Sequence, residues 1–242
     1  MTKLKTAALA ATALCAFSIA PAYATLRLSI GANGSTFTCF DGQLSCDQSG
    51  GANNLLTIDT TVGGAFVQLT LTTSSFGNPD TLSLSSSNII NESGAPIAIT
   101  LLASDTNFVA PIAAIRESSS LTFNDAVGSP ASFEKFWADT TNTQGANPSN
   151  TPGTLLFTAT GTPIQNPDSF DGTHLSTFAA SAPFSLTEGT TLNLIAGGSV
   201  TGLNQQVETS IPEPRTWALL ALGFVAMALV GYKRKRAPRF AI

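Results

Sequence analysis

Val67-Gln68-Leu69-Thr70-Leu71-Thr72 sets an apolar side chain at every second position, with a polar one between each pair. In an extended chain this period of two puts Val67, Leu69 and Leu71 on one face and Gln68, Thr70 and Thr72 on the other. That is the pattern of a strand with one side against a core. The alternation returns in Leu26-Arg27-Leu28-Ser29-Ile30, Leu55-Leu56-Thr57-Ile58, Leu82-Ser83-Leu84-Ser85 and Ile97-Ala98-Ile99-Thr100-Leu101. It continues in Leu155-Leu156-Phe157-Thr158, Phe184-Ser185-Leu186-Thr187 and Leu192-Asn193-Leu194-Ile195-Ala196. Turn formers separate the runs: Gly50-Gly51-Ala52-Asn53-Asn54, Gly77-Asn78-Pro79-Asp80, Glu188-Gly189 and Gly197-Gly198-Ser199. Many short strands broken by turns predict an all-β fold, a β-sandwich of Ig-like or jelly-roll-like kind, filling residues 25–210 as one domain. Ser132-Phe133-Glu134-Lys135-Phe136-Trp137 reads as a strand or a short helix. Residues 139–153 contain no large apolar side chain and read as a long exposed loop. Thr209-Ser210 reads as a short spacer after the last strand.

Charge narrows the function. Only 11% of the 242 residues are charged, and the net charge is −4. Residues 25–210 hold 14 acids against three bases, Arg27, Arg116 and Lys135. An acidic domain of this kind lacks the basic face that phosphate contacts need, so nucleic acid is excluded as its partner. The single histidine, His174, removes most His-based metal and triad chemistry. Ser and Thr make up 52 of those residues and supply a polar surface with a weak field.

The two ends differ from the middle. Lys3 and Lys5 precede an apolar run from Ala7 to Ala20, Pro21 stops it, and Ala22-Tyr23-Ala24 supplies small residues at Ala22 and Ala24. Residues 1–24 therefore read as a signal peptide, an N-terminal helix handled by the export machinery and cut by signal peptidase after Ala24. Cys15 does not make a lipoprotein, because Leu14 before it is too large for that cleavage. At the other end, Trp217 to Tyr232 runs without a charge between two interfacial aromatics. A transmembrane helix is expected over about 216–232, stopped by Lys233-Arg234-Lys235-Arg236, with 237–242 as a cytoplasmic end.

The order Pro212-Glu213-Pro214, then a short apolar segment opening Trp217-Ala218-Leu219-Leu220 with Gly223 inside it, then Lys233-Arg234-Lys235-Arg236, resembles the PEP-CTERM sorting signal of Gram-negative bacteria. The resemblance covers about 211–236, with the signal peptide as its companion. It implies recognition of Pro212-Glu213-Pro214 by an exosortase, a membrane transpeptidase, and removal of the tail. The protein would then be held at the inner membrane only before processing and end on the cell surface or outside the cell. The resemblance also implies association with exopolysaccharide and biofilm matrix.

Within the middle, Cys39 and Cys46 are the cysteines that remain after signal cleavage. In an oxidising compartment they are expected to form a disulfide stapling a hairpin whose turn contains Asp41-Gly42 or Gly42-Gln43. Asp41 with Asp47, and Asp168 with Asp171, lack the spacing of a calcium loop and read as turn residues. Neither a metal nor another cofactor is expected. His174 has no Gly-x-Ser-x-Gly elbow to serve and reads as a surface-loop residue. Ser132-Phe133-Glu134-Lys135 matches Ser-x-x-Lys without the companion motifs of that chemistry. Trp137, with Phe133 and Phe136, could instead form a flat platform for sugar rings. The expected role is that of an exported, non-catalytic surface or matrix protein. The alternatives are a carbohydrate-binding module using Trp137 and, behind it, a secreted hydrolase.

Overall fold

A computed structural model describes residues 26–74, 79–109, 112–145 and 151–210. All regular structure among them is β. One sheet contains β1 (Arg27–Ala32), β2 (Ser35–Phe40), β6 (Ile97–Phe108), β8 (Ser132–Asp139), β9 (Thr154–Gly161) and β11 (Phe184–Leu194). The other contains β3 (Leu55–Val62), β4 (Ala65–Ser74), β5 (Thr81–Asn91), β7 (Ile112–Asn124), β10 (Asp168–Ala180) and β12 (Ser199–Ser210). The strand orders are β2-β1-β6-β11-β8-β9 (sheet A) and β10-β7-β12-β5-β4-β3 (sheet B), and every pairing is antiparallel.

The period of two in the sequence becomes the inside and outside of these sheets. Leu56, Ile58, Val67, Leu69, Leu71, Leu82 and Leu84 from sheet B meet Leu28, Ile30, Ile99, Leu101, Phe136, Leu186 and Leu192 from sheet A in one buried cluster. Asn33 (φ 47°) and Gly34 (φ 76°) form the two-residue link between β1 and β2, the backbone that a tight hairpin of this twist requires. Gly63, between β3 and β4, also has positive φ, and a Cβ there would lie 2.1 Å from the Ala32 carbonyl oxygen.

Several expectations are corrected. Glu188-Gly189 is no turn but the middle of β11, which joins the two runs 184–187 and 192–194 into one strand. The ambiguous 132–137 segment is strand β8. Thr209 and Ser210 belong to β12, where they pair with Ile115 and Ala114, so they are not a spacer. The described part of 139–153 folds back onto sheet A: the amide of Gly145 donates to Ser104 Oγ (2.9 Å), and Gln144 Nε2 donates to the Ser104 carbonyl (3.0 Å). That contact buries Ser104, Ser185 and Thr187, which would otherwise face water. The expectation of a transmembrane helix is also corrected: no helix long and apolar enough to cross a membrane exists among the described residues. The segments on which the two flanking helices were expected, 1–24 and 216–232, lie outside those residues.

Candidate functional site

The outer face of sheet B is polar across all six strands. Register places Asp171, Ser120, Asn204, Ser85, Thr70 and Thr57 side by side in one row from β10 to β3. The next row runs Thr173, Ser118, Gln206, Ser83 and Thr72 before ending at Leu55. With strands about 4.8 Å apart, five such steps make a hydroxyl and amide strip about 24 Å long. Most of these residues alternate with buried ones, so burial of one face fixes the chemistry of the other.

A groove of about 450 Å³ opens at the β3–β4–β5 end of this face. Gln48, Asp59, Gln68, Thr70, Ser85 and Ser87 line it. Gln68 Nε2 donates to Asp59 Oδ2 (3.0 Å), and Ser87 Oγ donates to Gln68 Oε1 (3.3 Å), which orients the amide along the groove. Gln48 and Asp59 are shared with a neighbouring hollow of about 160 Å³ that runs up to Leu44, 83% exposed in the loop after β2.

That loop is held by the Cys39–Cys46 disulfide, with Cα atoms 6.0 Å apart. Cys46 lies outside any strand, so the bond ties the end of β2 to the following loop rather than closing a hairpin. Asp47 completes the loop by accepting the amides of Gly42 (3.0 Å), Ser49 (2.9 Å) and Thr57 (3.3 Å). Burial works against its charge, but the Ser49, Gly42 and Thr57 donors outweigh burial and hold the carboxyl below its ordinary value. Asp41 accepts the amide of Asn54 (2.8 Å), and Asp168 that of Ile164 (2.8 Å). These aspartates shape turns, whereas Asp171, also expected in a turn, lies within strand β10 opposite Ser120.

Trp137 is 8% exposed. Its ring lies on Gly189 of β11, where a Cβ would stand 2.7 Å from the indole and 3.3 Å from Leu102. A ring so covered offers no platform for a sugar, so the Trp137 contact is withdrawn. Phe136 is wholly buried and stacks on Phe157.

His174 is on strand β10, not on a loop. Its ring stacks flat on Phe157, with centroids 4.6 Å apart. Its Nδ1 meets both Ser176 Oγ (3.2 Å) and Glu117 Oε2 (3.5 Å). A triad needs the acid on one ring nitrogen and the serine on the other; here both crowd the same nitrogen. Ser132 and Lys135 are three apart on a strand, so Ser132 is buried and engaged by the Asn193 amide while Lys135 faces the outer side. No Ser-Lys pair forms.

Spacing in the sequence did not reveal the interior acids. Eight of the 14 acids are buried. Asp47, Asp80, Asp139 and Asp168 accept loop amides, whereas Asp105, Glu117, Glu134 and Glu188 point between the sheets. Burial raises the Glu134 carboxyl to about 7 against the opposing bond from Ser119. Burial, then the charge of Glu134, raises Glu188 well above the ordinary range. Two close carboxyls of raised pKa suit glycoside hydrolysis when they flank a sugar. Here Glu188 has no exposure, and the cavity beside Glu134 is about 60 Å³, far below the few hundred Å³ of a ligand pocket. Among the described residues no group of three or more His, Cys, Asp or Glu could hold a metal ion.

Ala22, Ala24, Pro212, Glu213, Pro214 and the 233–236 basic cluster lie outside the described residues. No family model matches the chain, and no curated protein matches it. Among solved structures, a chain of infectious bursal disease virus Gt strain is similar at 13% identity over 78% of this chain, with TM-score 0.33. The match spans 51%, about half, of the viral chain's length. A carbohydrate-binding module of the β-sandwich superfamily, from a structural study of promiscuous specificity, is similar at 12% identity over 73% of this chain and 66% of its own, with TM-score 0.27. The subviral particle of the viral protein VP2 gives 14% identity over 87% and 70% of the two chains, with TM-score 0.21. At these values no argument rests on the likeness.

Proposed function

We propose that this chain is an exported, non-catalytic sandwich that binds exopolysaccharide through the outer face of sheet B. The observation that carries the reading is the row Asp171–Ser120–Asn204–Ser85–Thr70–Thr57, which runs unbroken across six strands into the Gln68–Asp59 groove. Sugar hydroxyls both donate and accept hydrogen bonds, and so do the hydroxyls and amides of this strip. A long strip of low charge held by its backbone register suits an extended polymer, and its two carboxylates, Asp171 and Asp59, stand near its two ends. In the same reading the sandwich is of the jelly-roll kind, because the chain passes repeatedly from one sheet to the other between β5 and β12.

Export through residues 1–24 and processing by an exosortase at Pro212-Glu213-Pro214 belong to this proposal and rest on the sequence resemblance alone. They would deliver the domain to the cell surface or beyond.

Retention of the purified protein on the host's exopolysaccharide tests the reading. Gln68→Ala and Asn204→Ala should each weaken retention several-fold with little change in thermal midpoint, because both side chains lie outside the core. Retention equal to wild type in the double variant would overturn the site. Release of sugar fragments by the wild-type protein would overturn the non-catalytic role.

A further inference from the structure

Glu134 on β8 is opposite Thr190, and Glu188 on β11 is opposite Phe136, so the two glutamates are diagonal neighbours on the inner face of sheet A. Diagonal partners are about 7–8 Å apart along the backbone, near enough for two carboxyls to feel each other. Glu134 is 5% exposed and Glu188 not at all. Ser119 of sheet B lies beside the Glu134 carboxyl, whose Oε1 has no hydrogen-bond partner. The Glu188 carboxyl lies near the Val207 and Leu84 amides without a well-formed hydrogen bond.

The surroundings supply no positive charge to the pair. Along sheet A the nearest titratable group is Asp105 of β6; β9 brings only Phe157 and Ala159 to this side. From sheet B, β7 brings Glu117 and Ser119, β10 brings His174, already engaged by Glu117, β12 brings Gln205, and β5 brings Leu84; Asp171 of β10 faces outward and only borders the cavity. Arg27, Arg116 and Lys135, the bases of residues 26–210, alternate onto the outer faces. A cavity of about 60 Å³ reaches Glu134 between the edge strands β9 and β10, past Ala159, Thr160, Phe170 and Asp171. It is large enough for water and too small for a ligand molecule.

We propose that Glu134 and Glu188 form a proton-operated latch between the sheets. While both are neutral, the sandwich stays closed. When pH rises and a proton leaves, an uncompensated charge stands in the core, water follows it along the cavity, and the β9–β10 margin loosens. The sign follows from linkage. Both carboxyls hold their protons more tightly folded than unfolded, so the contribution is complete below the ordinary glutamate value of 4.5. It falls as pH rises through about 7 for Glu134, and the loss from Glu188, raised well above 4.5 by its burial, has the same sign.

The test is the urea midpoint of the full-length protein from pH 4.5 to 8.5, for wild type, Glu134→Gln, Glu188→Gln and His174→Gln. The wild-type midpoint should fall steadily above pH 5. Glu134→Gln keeps the shape and the Ser119 contact without the titration, so its profile should be flatter. His174→Gln removes the partner that favours the Glu117 charge, so its midpoint should fall with pH at least as steeply as wild type. Amide exchange should accelerate with pH at β9 and β10 beyond the chemical rate while β4 and β5 stay protected, a readout that survives if Glu188→Gln does not fold. A wild-type midpoint level from pH 5 to 8, or a Glu134→Gln profile parallel to wild type, would overturn the latch.

Discussion

Gly189 is the condition for Trp137. An added methyl would stand 2.7 Å from the indole, and rigid strands on both sides leave little room to yield. Gly189→Ala should therefore cost about 1–3 kcal/mol, seen as a lower urea midpoint with an unchanged slope. The aspartates set a second expectation. Asp47 and Asp139 are buried, yet their amide and hydroxyl donors outweigh that burial and hold both below 3.8, so their contribution is lost as pH falls through their folded values. Burial raises Asp105 to about 6, so its contribution is lost in the opposite direction, as pH rises from 3.8 through 6. Stability should peak in mildly acidic solution; Asp105→Asn should flatten the alkaline side and Asp47→Asn the acid side, both read by thermal melts across pH. At this scale the sequence was half legible. Glu188 shares the parity of Leu186 and Leu192, so carrying the alternation through Glu188-Gly189 would have put a carboxyl inside. The turn chemistry of Gly189 hid it. Nothing in the order of residues says that Trp137 lies buried over Gly189 of a neighbouring strand.

Among the elements, the sequence reached furthest where one face is apolar without interruption. β1, β3, β4, β5 and β6 stand where their alternation put them. β7, β10 and β12 went unread because polar or small residues, Glu117, Ser119, Gly172, Ser176, Gln205 and Thr209, hold inner positions and break the contrast on which periodicity depends. The segment after β8 was misread for a related reason. A loop without apolar side chains can still cover a sheet when hydrogen bonds replace packing, as Gly145 and Gln144 do on Ser104, whose own hydroxyl meets Thr187 (2.8 Å). Ser104→Ala leaves the Gly145 amide without its partner and should cost about 1–3 kcal/mol, with faster amide exchange over 141–145. Reducing Cys39–Cys46 opens a loop of sequence separation 7 and should remove about 2–3 kcal/mol, measured as the urea midpoint with and without reductant.

For the molecule as a whole, the polar row on sheet B is a property that no single segment carries. Its members come from six strands scattered between Thr57 and Asn204, and only the register brings them into line. The sequence therefore announced a Ser/Thr-rich surface but not its geometry, and it directed attention to Trp137 instead. The strand order has a further consequence. β11 joins β6 to β8 in sheet A, and β12 joins β7 to β5 in sheet B. Until residues 184–210 exist, each sheet is two separate halves with open edges. A chain ended at Ala180 should stay protease-sensitive and fail to give a cooperative melt. On a ribosome, the sandwich cannot close before residues 184–210 have emerged; up to that moment the domain is an unfinished thread.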